Sequence, residues 1–113
     1  MQNFVAYTNA LALVRALAPI VEQLRARSAD AANQLERAAS SVVQNIAEGA
    51  RRNGKDPRRF FAMASGSASE VRAVLDLAGA WGWQIDDREA RGLLDRELAL
   101  LWGLTRSKQP KRG

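Results

Sequence analysis

Apolar residues recur along this chain at spacings of three and four, the repeat of one face of an α-helix. The pattern appears in four separate stretches. In the first, residues 3–27, one row is Phe4, Tyr7, Leu11, Val14, Ala18 and Val21, and a second is Leu13, Leu17, Ile20 and Leu24. Together the rows cover about half of the helix circumference, more than the stripe of about 100° typical of a surface helix. One row can serve a core. The other calls for a partner, such as another subunit. Pro19 removes a backbone donor and crowds the turn before it, so a kink is expected there.

Ser28-Ala29-Asp30 is a tight turn with two candidate N-caps. A second helix is predicted from Ala31 to Arg52, with Leu35, Ala38, Val42 and Ile46 as its core row. Asn53-Gly54 stops it, since both residues tolerate the left-handed conformation beyond a helix end. Asp56 is the expected cap of the third helix and Pro57 its first residue. That helix runs through Phe60, Phe61, Ala64, Val71, Val74, Leu75 and Ala78 to Ala80, and Trp81-Gly82-Trp83 closes it. Asp86 and Glu89 have capping-box spacing. The fourth helix follows to Thr105 through Leu93, Leu94, Leu98, Leu101 and Leu104, with Leu100 and Trp102 broadening its apolar face. From Arg106 on, Pro110 is the only apolar residue, so residues 106–113 are predicted to form a basic, disordered tail. No stretch alternates as a strand does. Four helices joined by short turns predict an all-α, antiparallel up-down-up-down four-helix bundle, a single domain over residues 1–105.

Composition narrows the chemistry. At 113 residues the chain can build one core, and 47% hydrophobic with 26% charged residues is ordinary for a globular protein. It has no histidine and no cysteine. That excludes a Ser-His triad, a cysteine nucleophile, the common zinc sites and the Glu-x-x-His ligation of di-iron bundles. Neither a cofactor nor a metal is expected, and the chain reads as a non-enzyme. Arg15 interrupts the one long apolar segment, Phe4 to Leu24, which also lacks the basic start of a signal peptide. A cytoplasmic protein that does not span a membrane is expected.

The net charge of +5 is concentrated in two places. Residues 51–59 carry Arg51, Arg52, Lys55, Arg58 and Arg59 against Asp56, net +4. Residues 106–113 carry Arg106, Lys108, Lys111 and Arg112, also net +4. The first cluster flanks the start of the third helix, whose leading N–H groups can face an anion. Arg51, Arg52, Lys55, Arg58 and Arg59 are therefore the candidate nucleic-acid-binding residues, reading backbone charge rather than sequence. The cluster lacks the interleaved aromatics of single-strand readers, since Phe60 and Phe61 are spaced to face the core. The competing readings are solvated helix ends, or arginines paired with acids across a subunit interface.

Asn45 and Glu48 lie three apart on one helical face, inside the apolar run Val42, Val43, Ile46, Ala47. Gly66, Ser67 and Ser69 form a seam of small residues for close helix approach. Asn45, Glu48, Ser67 and Glu70 are read as a structural polar network that sets helix register, with Arg52 or Arg37 as partners. On that reading Glu48→Ala costs about 2–4 kcal/mol if a charged partner is stranded. A metal or acid/base role for Glu48 and Glu70 is the remote alternative. Trp81, Trp83 and Trp102 are expected to anchor a core or an interface.

The ordered set Gln34-Leu35-x-Arg37-Ala38-Ala39, Ser41, Asn45-Ile46-Ala47-Glu48-Gly49, Arg51-Arg52, Arg59-Phe60, Ala64, Gly66-Ser67 and Glu70 resembles the four-helix-bundle family of bacterial rRNA intervening-sequence proteins. The accessory variability protein of diversity-generating retroelements is similar. Pro57 stands where that family usually has a bulky apolar residue, Ser65 where it often has Arg, and Ala68 where it has a larger apolar residue. The resemblance implies a bundle that assembles as a homopentameric ring. The functional expectation is a non-catalytic scaffold that binds RNA or DNA, or a nucleic-acid-handling partner such as a reverse transcriptase. The alternative is a protein-binding hub with no nucleic-acid role.

Overall fold

The computed structural model describes residues 2–52 and 56–106. They form four α-helices: α1 (Gln2–Arg25), α2 (Ala29–Arg51), α3 (Pro57–Ala80) and α4 (Arg88–Arg106). α1 packs on α2 and α4, and α3 packs on the same two helices, so the four close a ring around one core. Among the described residues there is no strand.

Local chemistry explains most of the helix ends. The Ser28 hydroxyl accepts the Ala31 N–H at 3.0 Å, so Ser28 caps α2 and Asp30 falls inside its first turn. Gly82 has φ +85, which a glycine adopts without strain. It ends α3 in a Schellman arrangement, with Trp83 N–H on Ala78 O and Gly82 N–H on Gly79 O, both 3.0 Å. α1 runs unbroken through Pro19 and ends at Arg25, two residues short of the sequence expectation.

The caps expected of α3 and α4 differ: the first does not form, and the second forms without its box. Asp56 lies in the left-handed region at φ 57, and its side chain caps nothing. Its carboxylate instead takes Arg59 Nε at 2.9 Å, because a charged donor outcompetes a backbone amide. At α4, Asp86 accepts the Arg88 N–H and binds the Arg88 guanidinium at 3.0 Å, which holds its carboxyl below its ordinary value. Glu89 is exposed and completes no capping box. Arg106 belongs to α4, with its guanidinium 4.6 Å from the Trp102 ring centroid. The predicted tail therefore loses its first residue to the helix, and residues 107–113 lie outside the described ones.

The core joins Leu13, Leu17 and Leu24 of α1, Leu35, Val42 and Ile46 of α2, Phe61, Val71 and Leu75 of α3, and Leu94 and Leu101 of α4. By length and composition alone, Phe4–Arg25 is apolar enough to cross a membrane, with mean hydropathy 1.6. In the bundle its row Ala6, Ala10, Leu13, Leu17, Ile20 and Leu24 is buried in the common core. The other row is partly covered: Phe4 is 61% exposed and Ala18 is exposed, Leu11 is half-buried, Tyr7 and Val14 pack against the core, and Val21 belongs to it. Of the tryptophans, Trp83 packs on the core and stacks with Trp81, whereas Trp81 and Trp102 are exposed.

Of the small-residue seam, Ser67 meets α2 at Ser41, whereas Gly66 and Ser69 do not mark the close approach. A Cβ on Gly66 would meet nothing within 4 Å, and Ser69 is exposed. At Gly49, by contrast, a Cβ would come within 2.7 Å of the Phe61 ring. That ring is buried in the core and has little room to swing. Gly49→Ala gains about 1 kcal/mol of helix propensity but overpacks the contact by about 1–3 kcal/mol. A net loss of about 1 kcal/mol is expected in chemical denaturation. A variant more stable than the parent would show that the ring yields.

Candidate nucleic-acid interface

The end of α2 and the start of α3 carry four of the five candidate cations, and two of them lie over one aromatic ring. Phe60 is buried but lies outside the main core cluster. Arg52 and Arg59 both lie over it, with guanidinium carbons 4.6 and 4.5 Å from the ring centroid. Cation–π contact of this kind holds a guanidinium in place while leaving its edge available. Arg51 and Arg58 are exposed, and Lys55 lies outside the described residues.

Acidic partners neutralise part of this charge. Glu48 accepts two bonds from Arg51, at 3.1 and 3.0 Å. Arg52 Nε lies 3.2 Å from Glu48 Oε2 as an ion pair without hydrogen-bond geometry. Arg59 pairs with Asp56. Glu48 therefore faces two cations and Asp56 one. Because Asp56 caps nothing, the first turn of α3 has no side-chain acceptor from that residue, and Pro57 removes one donor from it.

Of the four residues read as one polar network, Asn45 and Ser67 meet at Ser41, and Glu48 and Glu70 do not join them. Ser41 and Ser67 share a hydrogen bond of 2.8 Å between α2 and α3, and Asn45 Nδ2 donates to the Ser41 carbonyl and hydroxyl at 3.0 and 3.1 Å. That is a small interhelical network with Ser41 at its centre. Glu48 is not in it, since its carboxylate turns toward Arg51 and Arg52. Glu70 is exposed and bonds to none of the described residues. A carboxylate pair at Glu48 and Glu70 is not assembled.

The buried polar pair that does exist was missed from the sequence. Asn9 Nδ2 donates to Glu97 Oε1 at 2.7 Å and to Leu93 O at 3.0 Å. Glu97 is 0% exposed, and burial pushes its carboxyl up to about 7. The signal was present: Glu97 falls on the row Ala90, Leu94, Leu101, which helical spacing puts in the core.

The geometry lowers the expected weight of Glu48. Its side chain is 32% exposed, and those of Arg51 and Arg52 are 73% and 38% exposed. Ion pairs this accessible contribute about 0–1 kcal/mol, and without Glu48 the Arg52 guanidinium keeps its place on Phe60. Glu48→Ala is thus expected to cost about 0.5 kcal/mol rather than 2–4, measured by denaturation at fixed salt. A loss above 2 kcal/mol would restore a core role for Glu48.

A family model described as 23S rRNA-intervening sequence protein matches residues 2–96. A comparison with curated proteins found no match.

Proposed function

The chain belongs to the 23S rRNA-intervening sequence protein family, and from that premise we propose a non-catalytic, oligomeric scaffold that binds the phosphate backbone of RNA or DNA at the α2–α3 junction. The observation that carries this reading is the stacking of Arg52 and Arg59 on Phe60 at the α2–α3 junction, beside exposed Arg51, with Arg51 and Arg52 sharing the single carboxylate of Glu48. The family's name, with its reference to rRNA, favours a nucleic acid over other polyanions.

Contacts between helices support an antiparallel, up-down-up-down arrangement. Ser41 meets Ser67 while Gly49 meets Phe61, and Arg72 pairs with Asp95 while Arg91 pairs with Asp76. Numbering rises along one helix as it falls along its neighbour. On this arrangement the basic junction, Phe4 and the end of α4 share one end of the bundle.

Exposed Phe4, Met63, Leu77, Trp81 and Trp102 favour self-association. A pentameric ring would bury two different surfaces of each subunit and repeat the basic junction five times, so weak contacts would add by avidity. The same apolar residues support the second reading, a protein-binding hub in which the arginines are interface residues.

Arg51 and Arg58 are the cleanest probes, because Arg52 and Arg59 also hold Phe60. In a salt titration with RNA and DNA, the intact chain is expected to bind with affinity falling steeply with salt. Arg51→Ala/Arg58→Ala should lower the log–log salt slope by about 2 per engaged subunit, with the solution mass unchanged. A chain ending at Arg106 separates the tail's share. Equal binding by parent and double variant, or none by the parent at low salt, would move the reading to the protein hub.

A further inference from the structure

We propose that Glu97 is a protonated, neutral acid in the folded protein and makes the α1–α4 seam a pH-sensitive latch. The inference goes beyond the nucleic-acid reading and does not depend on it. Glu97 is fully enclosed. One carboxylate oxygen takes the Asn9 amide, and the other, Oε2, is buried with no hydrogen-bond partner among the described residues. An ionised carboxylate with one oxygen unsolvated and no cation beside it is strongly disfavoured, whereas a proton on Oε2 removes the charge.

The surroundings offer no replacement charge. α4 packs against α1 and α3. α1 presents the neutral Asn9 amide and half-buried Tyr7, while its charged residues Arg15, Glu22 and Arg25 are exposed. On α3, Arg72 pairs with Asp95 and Asp76 with Arg91, and Arg58, Arg59 and Glu70 are exposed. On α4 itself Arg96 is exposed and attracts Glu97 only weakly, less than burial repels the charge. Desolvation therefore dominates, with the carboxyl raised from 4.5 to about 7.

The sign follows from proton counts. Between 4.5 and about 7 the folded chain holds a proton on Glu97 that the unfolded chain has released. Folding is then favoured by acid. The stabilisation is complete below 4.5 and is lost as pH rises to about 7, above which it stays lost. In physical terms, raising the pH through neutrality charges the seam where α4 closes on α1.

The test compares the full-length parent with Glu97→Gln, a neutral side chain of the same shape, in denaturant titrations from about pH 5 to 8 at one protein concentration. The parent's unfolding equilibrium constant is expected to rise about 50- to 100-fold relative to the variant's over that range. Parallel profiles would overturn the proposal. Carbon-13 NMR of the folded parent gives an independent readout that needs no variant. One of the glutamate carboxyls is expected to titrate near pH 7, and titration of all of them in the ordinary glutamate range would overturn the latch even if Glu97→Gln fails to fold.

Discussion

Small side chains at the helix contacts govern this bundle. Ala6 and Ala10 on α1, Ala32, Ala38 and Ala39 on α2, Ala64 and Ala68 on α3, and Ala90 on α4 are buried between larger Leu, Val and Ile residues. Alanine loses no rotamer freedom on burial and keeps helix axes near the short end of the usual 8–10 Å spacing. Between α2 and α3, Ser41 reaches Ser67 and Phe61 lies on Gly49. Those two contacts set how the end of α2 meets the start of α3. The stacking of Arg52 and Arg59 on Phe60 depends on that register rather than on any attraction among like charges.

The protein handles its charges in two opposite ways. On the surface, several arginines meet acids within one turn along the chain, as Arg51 and Arg52 do with Glu48 and Arg91 with Asp87. Such pairs are solvated and exchange readily, so they can release a guanidinium to a phosphate at little cost. In the α1–α4 seam, Glu97 is held among apolar residues with one amide for company. There solvent cannot share the charge, and proton binding takes over the work that a counter-ion does outside. On the proposed readings, the basic junction would answer to salt and the seam to pH.

Helical periodicity made the fold class legible from sequence, and the existence of all four helices followed from it. Ser28, Pro57 and the Trp81-Gly82-Trp83 turn marked real boundaries because their effect is local: a hydroxyl, a fixed φ and a left-handed glycine act on the residues beside them. Asp56 misled for the same reason. It is a good cap in isolation, but a nearby arginine on the same segment is a stronger partner for its carboxylate.

Sequence by itself determined the helices, the rows they bury and the clustering of positive charge between α2 and α3, since all of these depend on residues near one another in the chain. Tertiary structure alone decided which polar residues meet. Asn9 and Glu97 are 88 residues apart, and Ser41 and Ser67 are 26 apart. It also removed Glu48 and Glu70 from the network they were expected to share. Whether a polar side chain is buried, and against what, depends on the rotation of each helix about its axis. Packing of the whole core sets that angle, and a shift of one residue moves a side chain by about 100°.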